Sequence, residues 1–413
     1  MARILGVTLP ATGHLLSQLP VLTELARRGH QVSCLSLPRY RDLILKAGVN
    51  YLALPVTEQE EAVFGDLADQ PRGMQLLPLY ARLLDWTVTI LGRLQAIFPA
   101  PGSPVAPIGP EAPEMTLPDL ILADAACPWS WRLARRLHRP CVTLVPSFAW
   151  SLPVMLSSPS ALLDLRPQAR HVPDLIRAQG RLSRYGGEGG RPPWAFLAPG
   201  GEQVLVLTSR AFQPWPWSVP RHWRFVGPTS ALGDRPEGSG PTSSAAQIYV
   251  SLGTVADAQL PWWRRAAEAL APPPETAGLP VLLATGPKLR PEALGALPPN
   301  IRVTPWADQP DELRSAGVFV THGGMNGVGE ALRLGVPMVV SPQSMDHFWV
   351  ASRLQRLGAA VNVGPHPTVR QLRWAVERVR GDGRYRKRAA ALGATLWEAG
   401  GVEAVAEEVE ALL

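Results

Sequence analysis

Cysteine is scarce. Cys34, Cys127 and Cys141 are the only 3 in 413 residues, and no two form a C-x-x-C pair. That excludes a disulfide framework and a zinc site of the usual spacing, and leaves three buried structural thiols as the expectation. Long apolar runs are also missing: nothing approaches the ~20 residues that a membrane span needs. The N-terminal ILGVTLP is too short for a signal h-region and breaks into Pro-Ala-Thr-Gly. The chain is therefore expected to stay in the cytoplasm. A basic excess is present, with a formal charge of +6 and a pI near 9.6, yet the arginines are scattered and few aromatics alternate with them. Nucleic acid is not the expected partner. The densest clusters, Arg135 to Arg139 and Arg384 to Arg388, read first as solvated helix faces and second as a weak attraction to an anionic membrane surface.

What the chain does have is length and alternation. At 413 residues it exceeds one comfortable core, and 46% hydrophobic residues with a mean hydropathy of +0.03 fit two globular domains. Ile4 to Leu9 reads as a buried strand, and Leu15, Leu19, Leu22, Leu25 and Ala26 follow at helical spacing until Gly29. VSCLSL, DLILAD, the helix WSWRLARRL and CVTLVP continue the pattern of a parallel sheet. Glu58 to Met115 and Ser151 to Gly201 are Pro- and Leu-rich and look aperiodic, as expected of insertions that build a binding wall or lid. Thr229 to Gln247 is rich in Gly, Pro and Ser and is the best linker. Behind it strands and helices alternate again up to the helix HFWVASRLQRLG, with helices expected in the remainder. The resulting division is a first domain over 1–228, a linker over 229–247, a second domain over 248–395 and a last helix, 396–413, packing back on the first domain. Two doubly wound α/β domains in tandem bind ligands at the carboxyl ends of their strands.

Chemistry-bearing residues fall on those ends. His322, Gly323 and Gly324 follow the strand GVFVT and lead straight into a helix. Free backbone N–H groups and the helix dipole there suit an anion, and glycines let a phosphate approach. Ser251 to Thr254 (SLGT) end the domain's first strand in the same way and add two hydroxyls. One such turn is weak evidence, more often a loop than a site; two at neighbouring strand ends are better evidence for an anion site.

Trp306 to Gln309 (WADQ), His322 to Gly327 (HGGMNG), Glu330, Pro337 and Met345 to His347 (MDH) stand in a familiar order. The chain resembles the GT-B fold glycosyltransferases that modify small lipophilic molecules, including bacterial macrolide and antibiotic enzymes, carotenoid glucosyltransferases and plant secondary-metabolite enzymes. The resemblance implies two Rossmann-like domains facing each other across a cleft, the second holding a nucleotide sugar as co-substrate: UDP-glucose or another UDP- or dTDP-hexose, with no bound cofactor. It implies that Trp306 stacks on the base, that Gln309 lies near base and ribose, and that Glu330 holds the ribose hydroxyls. His322, Asn326, Thr254 and the turn at Gly324 contact the diphosphate. Gly327 replaces a common serine, leaving its backbone N–H to serve. Asp346 and His347 stand where Asp-Gln or Glu-Gln is usual, on the hydroxyls of the transferred sugar, so that sugar need not be glucose. In some plant relatives a histidine here accompanies galactose transfer. Taken singly, Trp306 reads as a core aromatic and Glu330 as a surface carboxylate.

The same resemblance makes His14, in PATGHL, the general base and Asp124, at the end of DLILAD, its partner. An attacking hydroxyl must shed its proton as the bond forms, and a neutral imidazole suits that task; a helix N-terminus is expected to help keep it neutral. The simpler reading is that each residue caps a helix. No Asp-x-Asp pair occurs, so no metal clamp of the GT-A kind is expected, and helix N-termini with His322 are left to stabilise the leaving diphosphate. Trp86, Trp129, Trp131, Phe148 and Trp150 are candidates to line an apolar acceptor pocket, the partner being a hydrophobic small molecule, although most of the 14 tryptophans are more simply core. The oligomeric state is not legible. Two rival classes are a nucleotide-sugar epimerase of the same fold and a non-catalytic nucleotide-sugar-binding protein.

Overall fold

Strands β4 (Leu120–Asp124), β5 (Cys141–Val145) and β11 (Ala316–Thr321) are buried along their whole length. Such continuous burial is what a parallel sheet covered on both faces requires, and it explains why they read as unbroken apolar runs. The computed structural model describes residues 1–61, 76–98, 117–185, 199–230, 232, 247–253, 260–272, 278–343 and 346–413.

Two parallel sheets organise the chain. The first runs in the order β3-β2-β1-β4-β5-β6-β7, from β1 (Arg3–Val7), β2 (Gln31–Ser36), β3 (Asn50–Ala53), β4, β5, β6 (Gln203–Val206) and β7 (Arg224–Phe225). The second runs β10-β9-β8-β11-β12-β13, from β8 (Gln247–Ser251), β9 (Val281–Ala284), β10 (Ile301–Thr304), β11, β12 (Met338–Val340) and β13 (Ala360–Asn362). In each sheet the order reverses beside the first strand, between β1 and β4 and between β8 and β11. A crevice opens at such switch points, outside the carboxyl ends of the strands.

Several elements differ from the sequence expectation. β13 pairs with β12 through Met338↔Ala360 and Val340↔Asn362, where helices alone had been expected; three residues are too few for any period to register. The stretches taken as aperiodic hold helices Leu76–Ile97 and Val172–Tyr185. Leu83, Ile90, Leu91 and Leu94 of the former face the first sheet's core, while its Ala81 and Leu84 meet Leu175, Ala178 and Leu182 of the latter. A helix buried on two sides is apolar nearly all round, which erases the single stripe that marks a surface helix.

The chain crosses back at its end. Helix Gly383–Trp397 packs on helix Met325–Arg333 of the second half. Gly401 N then donates to Val226 O at 2.6 Å. Helix Gly401–Glu410 sends Val405, Ala406 and Val409 among Leu15, Leu22 and Leu25 of the first half. Glu410 also pairs with Arg28 at 2.7 Å. Most of the Gly/Pro/Ser-rich linker, 229–247, lies outside the described residues. All three cysteines are buried and unpaired, and burial pushes the Cys34 and Cys141 thiols up to about 12.

Candidate active site

At the first switch point the loop after β1 and the end of β4 meet. Asp124 is the last residue of β4, and its carboxylate is held by three nitrogen donors, with the Thr8 hydroxyl 3.5 Å from Oδ2. Leu9 N donates to Oδ2 at 3.0 Å, Ala126 N to Oδ1 at 2.8 Å, and His14 Nδ1 lies 2.7 Å from Oδ2. An ionised carboxylate only accepts, so Nδ1 carries the proton and Nε2 keeps its lone pair. His14 is the third residue of helix Thr12–Arg27, which places its ring at the helix's N-terminal end. Burial works against the imidazolium. The charge and hydrogen bond of Asp124, with Asp346 adding, outweigh that and raise His14 above its ordinary value. The helix N-terminus therefore does not decide this group, as the sequence suggested; the carboxylates do. Asp124 is held below its ordinary value: burial opposes ionisation, but His14 and the two backbone donors prevail.

At the second switch point β8 and β11 end side by side. Gly253, after β8, and Gly324, after β11, clasp His322: a Cβ on Gly253 would lie 2.6 Å from its Cε1, and one on Gly324 2.4 Å from its Nε2. Gly323 adopts φ +91, a region that side chains avoid. The His322 ring stands edge-on to His347, with centroids 4.5 Å apart at 86°. Burial, with the neighbouring imidazole, lowers His322 to about 3, and burial lowers His347 to about 4. Both are neutral at neutral pH and act through hydrogen bonds alone.

Around this turn the remaining residues assemble. Gln309 Nε2 donates to Glu330 Oε2 at 2.7 Å. Gly327 leaves room for that contact, because a Cβ there would lie 3.0 Å from the amide nitrogen. Glu330 is only 8% exposed, and burial raises its carboxyl despite the Gln309 hydrogen bond and nearby Arg333. Trp306 is 75% exposed. An exposure that large makes Trp306 a surface ring and not a core residue.

The two halves touch across the crevice. Asn326 Nδ2 donates to Gly13 O at 2.8 Å, joining the first turns of the helices that follow the two switch points. Ser147 Oγ, just after β5, donates to Asp346 Oδ2 at 2.6 Å. Sequence reasoning passed over Ser147, since a lone serine in a loop carries no motif; its position after a strand end on the first sheet was the available signal. Thr254 lies outside the described residues. Of the acceptor candidates, Trp129, Trp131 and Phe148 are corrected to core residues, at 0%, 4% and 0% exposure. Trp86 and Trp150 are half-buried, and Trp150 packs edge-on against Trp349 at 5.0 Å.

Comparison with known proteins agrees with this geometry. Residues 281–412 match the family described as erythromycin biosynthesis protein CIII-like, C-terminal domain. Over 418 aligned residues the chain is 29% identical to oleandomycin glycosyltransferase of Streptomyces antibioticus, covering 100% of this chain and 91% of that one. The crystal structure of the kitacinnamycin glycotransferase matches with a TM-score of 0.75 at 27% identity, covering 100% of this chain and 99% of that one. A calicheamicin glycosyltransferase matches at 0.74 and 26%, covering 100% and 98%.

Proposed function

We propose, from the premise that the chain is a glycosyltransferase of the GT-B fold and natural-product type, that it moves a hexose from a nucleoside diphosphate sugar to a hydroxyl of a lipophilic small molecule. The reaction is a single displacement at the anomeric carbon with inversion. His14 accepts the hydroxyl proton as the new bond to the sugar forms, and Asp124 stabilises the imidazolium that results. The bond to the diphosphate breaks on the opposite side. The turn Gly323–Gly324 at the start of helix Met325–Arg333, with neutral His322, receives the departing charge through N–H donors and the helix dipole. Trp306 stacks on the base, Glu330 takes the ribose hydroxyls with Gln309 steadying it, and Asp346 with His347 reads the sugar.

One observation carries this reading: the 2.7 Å contact of His14 with a buried carboxylate on one side of a crevice, tied through Asn326 and Gly13 to the glycine-histidine turn on the other. A protein that only held a nucleotide sugar would have no use for the first half of that arrangement. The test is to incubate the protein with UDP- and dTDP-hexoses and a panel of hydrophobic alcohols and phenols. A hexose mass gain on an acceptor is expected from wild type. His14→Ala should lose at least about a hundredfold in rate while its calorimetric affinity for the donor stays. Full transfer by that variant would remove His14 from its role, and isomerised donor formed without acceptor would favour an epimerase.

A further inference from the structure

Away from the crevice, where the chain crosses between its halves, a recess of about 450 Å³ opens beside β7. Its volume lies within the range of small-molecule sites. Trp223, 7% exposed, and half-buried Phe225 supply apolar surface. Arg210, Arg221 and Arg224 line it from the first half, and Thr395 and Glu398 from the end of helix Gly383–Trp397 in the second. Arg224 is engaged by Glu408. Arg210 lies over the Phe225 ring at 5.0 Å, and neither it nor Arg221 makes an ion pair among the described residues. Two guanidiniums without an ion pair among the described residues, Arg210 and Arg221, therefore line the recess with one carboxylate, Glu398, beside two aromatic rings. Ser209 Oγ and Thr395 Oγ1, 2.8 Å apart, tie the two halves at the same place.

We propose that this recess is a second ligand site, for a small anion carried on a flat apolar body. Guanidiniums recognise carboxylate or phosphate in a planar, bidentate manner, and an aromatic floor favours a ring beside that group. A ligand seated there touches both halves of the chain, so its binding bears on how the halves are held together.

The probe is phenyl phosphate, titrated calorimetrically into the full chain with and without excess UDP. Saturable binding that UDP does not displace is expected, weakened at least about tenfold in the Arg210→Glu/Arg221→Glu double variant. Inorganic phosphate should bind more weakly than phenyl phosphate, because it lacks the ring, and phenol more weakly because it lacks the charge. The double variant's melting curve and its donor affinity should match wild type, which separates loss of the site from loss of the fold. Displacement by UDP would place the probe in the donor crevice and overturn the proposal. So would equal affinity in the charge-reversed variant, or no saturable binding to wild type.

Discussion

His14 and Asp124 form a pair whose two members shift each other in opposite directions, and that makes the pair's pH behaviour a signature. On the proposed mechanism transfer needs the neutral imidazole, and against the opposing effect of burial Asp124 raises His14 above its ordinary value. Activity therefore falls on acidification through that raised pKa. In Asp124→Asn the raising charge is gone while burial still disfavours the imidazolium, so the acid limb of the pH–rate profile should move to lower pH. The plateau above it should also drop, since the carboxylate in direct contact with the protonated ring is then gone and only the weaker effect of Asp346 remains. A profile with an unmoved acid limb would mean that His14 is not the group titrating. At this scale a strand end and a glycine turn marked His322 in the sequence, while the resemblance singled out His14, Asp124, Gln309, Asn326 and Glu330; the structure brings His14 to Asp124 and Gln309 to Glu330. Ser147 was not legible, because its part depends on a partner 199 residues away. The aromatic residues were misread for a related reason: a tryptophan beside a variable segment looks the same in sequence whether it faces a ligand or a core.

Among the elements, helix Gly383–Trp397 crosses helix Met325–Arg333 at close range. A Cβ on Gly393 would lie 2.0 Å from Leu332 O and 2.7 Å from its carbonyl carbon. Backbone cannot swing aside as a side chain can, so Gly393→Ala must push the helices apart. That overpacking should cost about 1–3 kcal/mol, read as a lower urea midpoint. Because the second helix starts at the glycine-histidine turn, donor affinity should weaken in step. The strands flanking both switch points were legible, since burial on both faces leaves runs such as LILAD and VFVT unmistakable. The short strands β3, β7 and β13, of 4, 2 and 3 residues, were not. Their place is set by pairing with a neighbour and not by any local pattern.

Across the whole molecule, one apolar core spans both halves: Phe148, Val154, Ala161 and Phe212 from the first pack with Phe348, Trp349 and Val350 from the second. The last helix fastens the arrangement from behind by seating Val405 at 0% exposure in the first half's core. Val405→Asp would place an unpaired carboxylate there. Its unfolding midpoint should fall well below that of Val405→Ala, which removes only packing; similar midpoints for the two would mean that the helix end comes away without cost. Two sheets of the same kind thus carry opposite proton habits at equivalent places. The imidazole at the first switch point takes up a proton above its ordinary value, while the two at the second refuse one until about 3 and about 4. Of these three imidazoles, a pH step from about 8 to about 5 should therefore change the charge of the first and not of the other two. On the proposed reading, in which Glu330 takes the ribose hydroxyls, protonation of that carboxyl, raised by burial, sets the lower end of the step. Within that window the molecule should idle as a loaded receptor, occupied by donor yet silent, and resume turnover when the pH returns. Calorimetry and rate measured on one sample at both pH values would distinguish this idling from simple release.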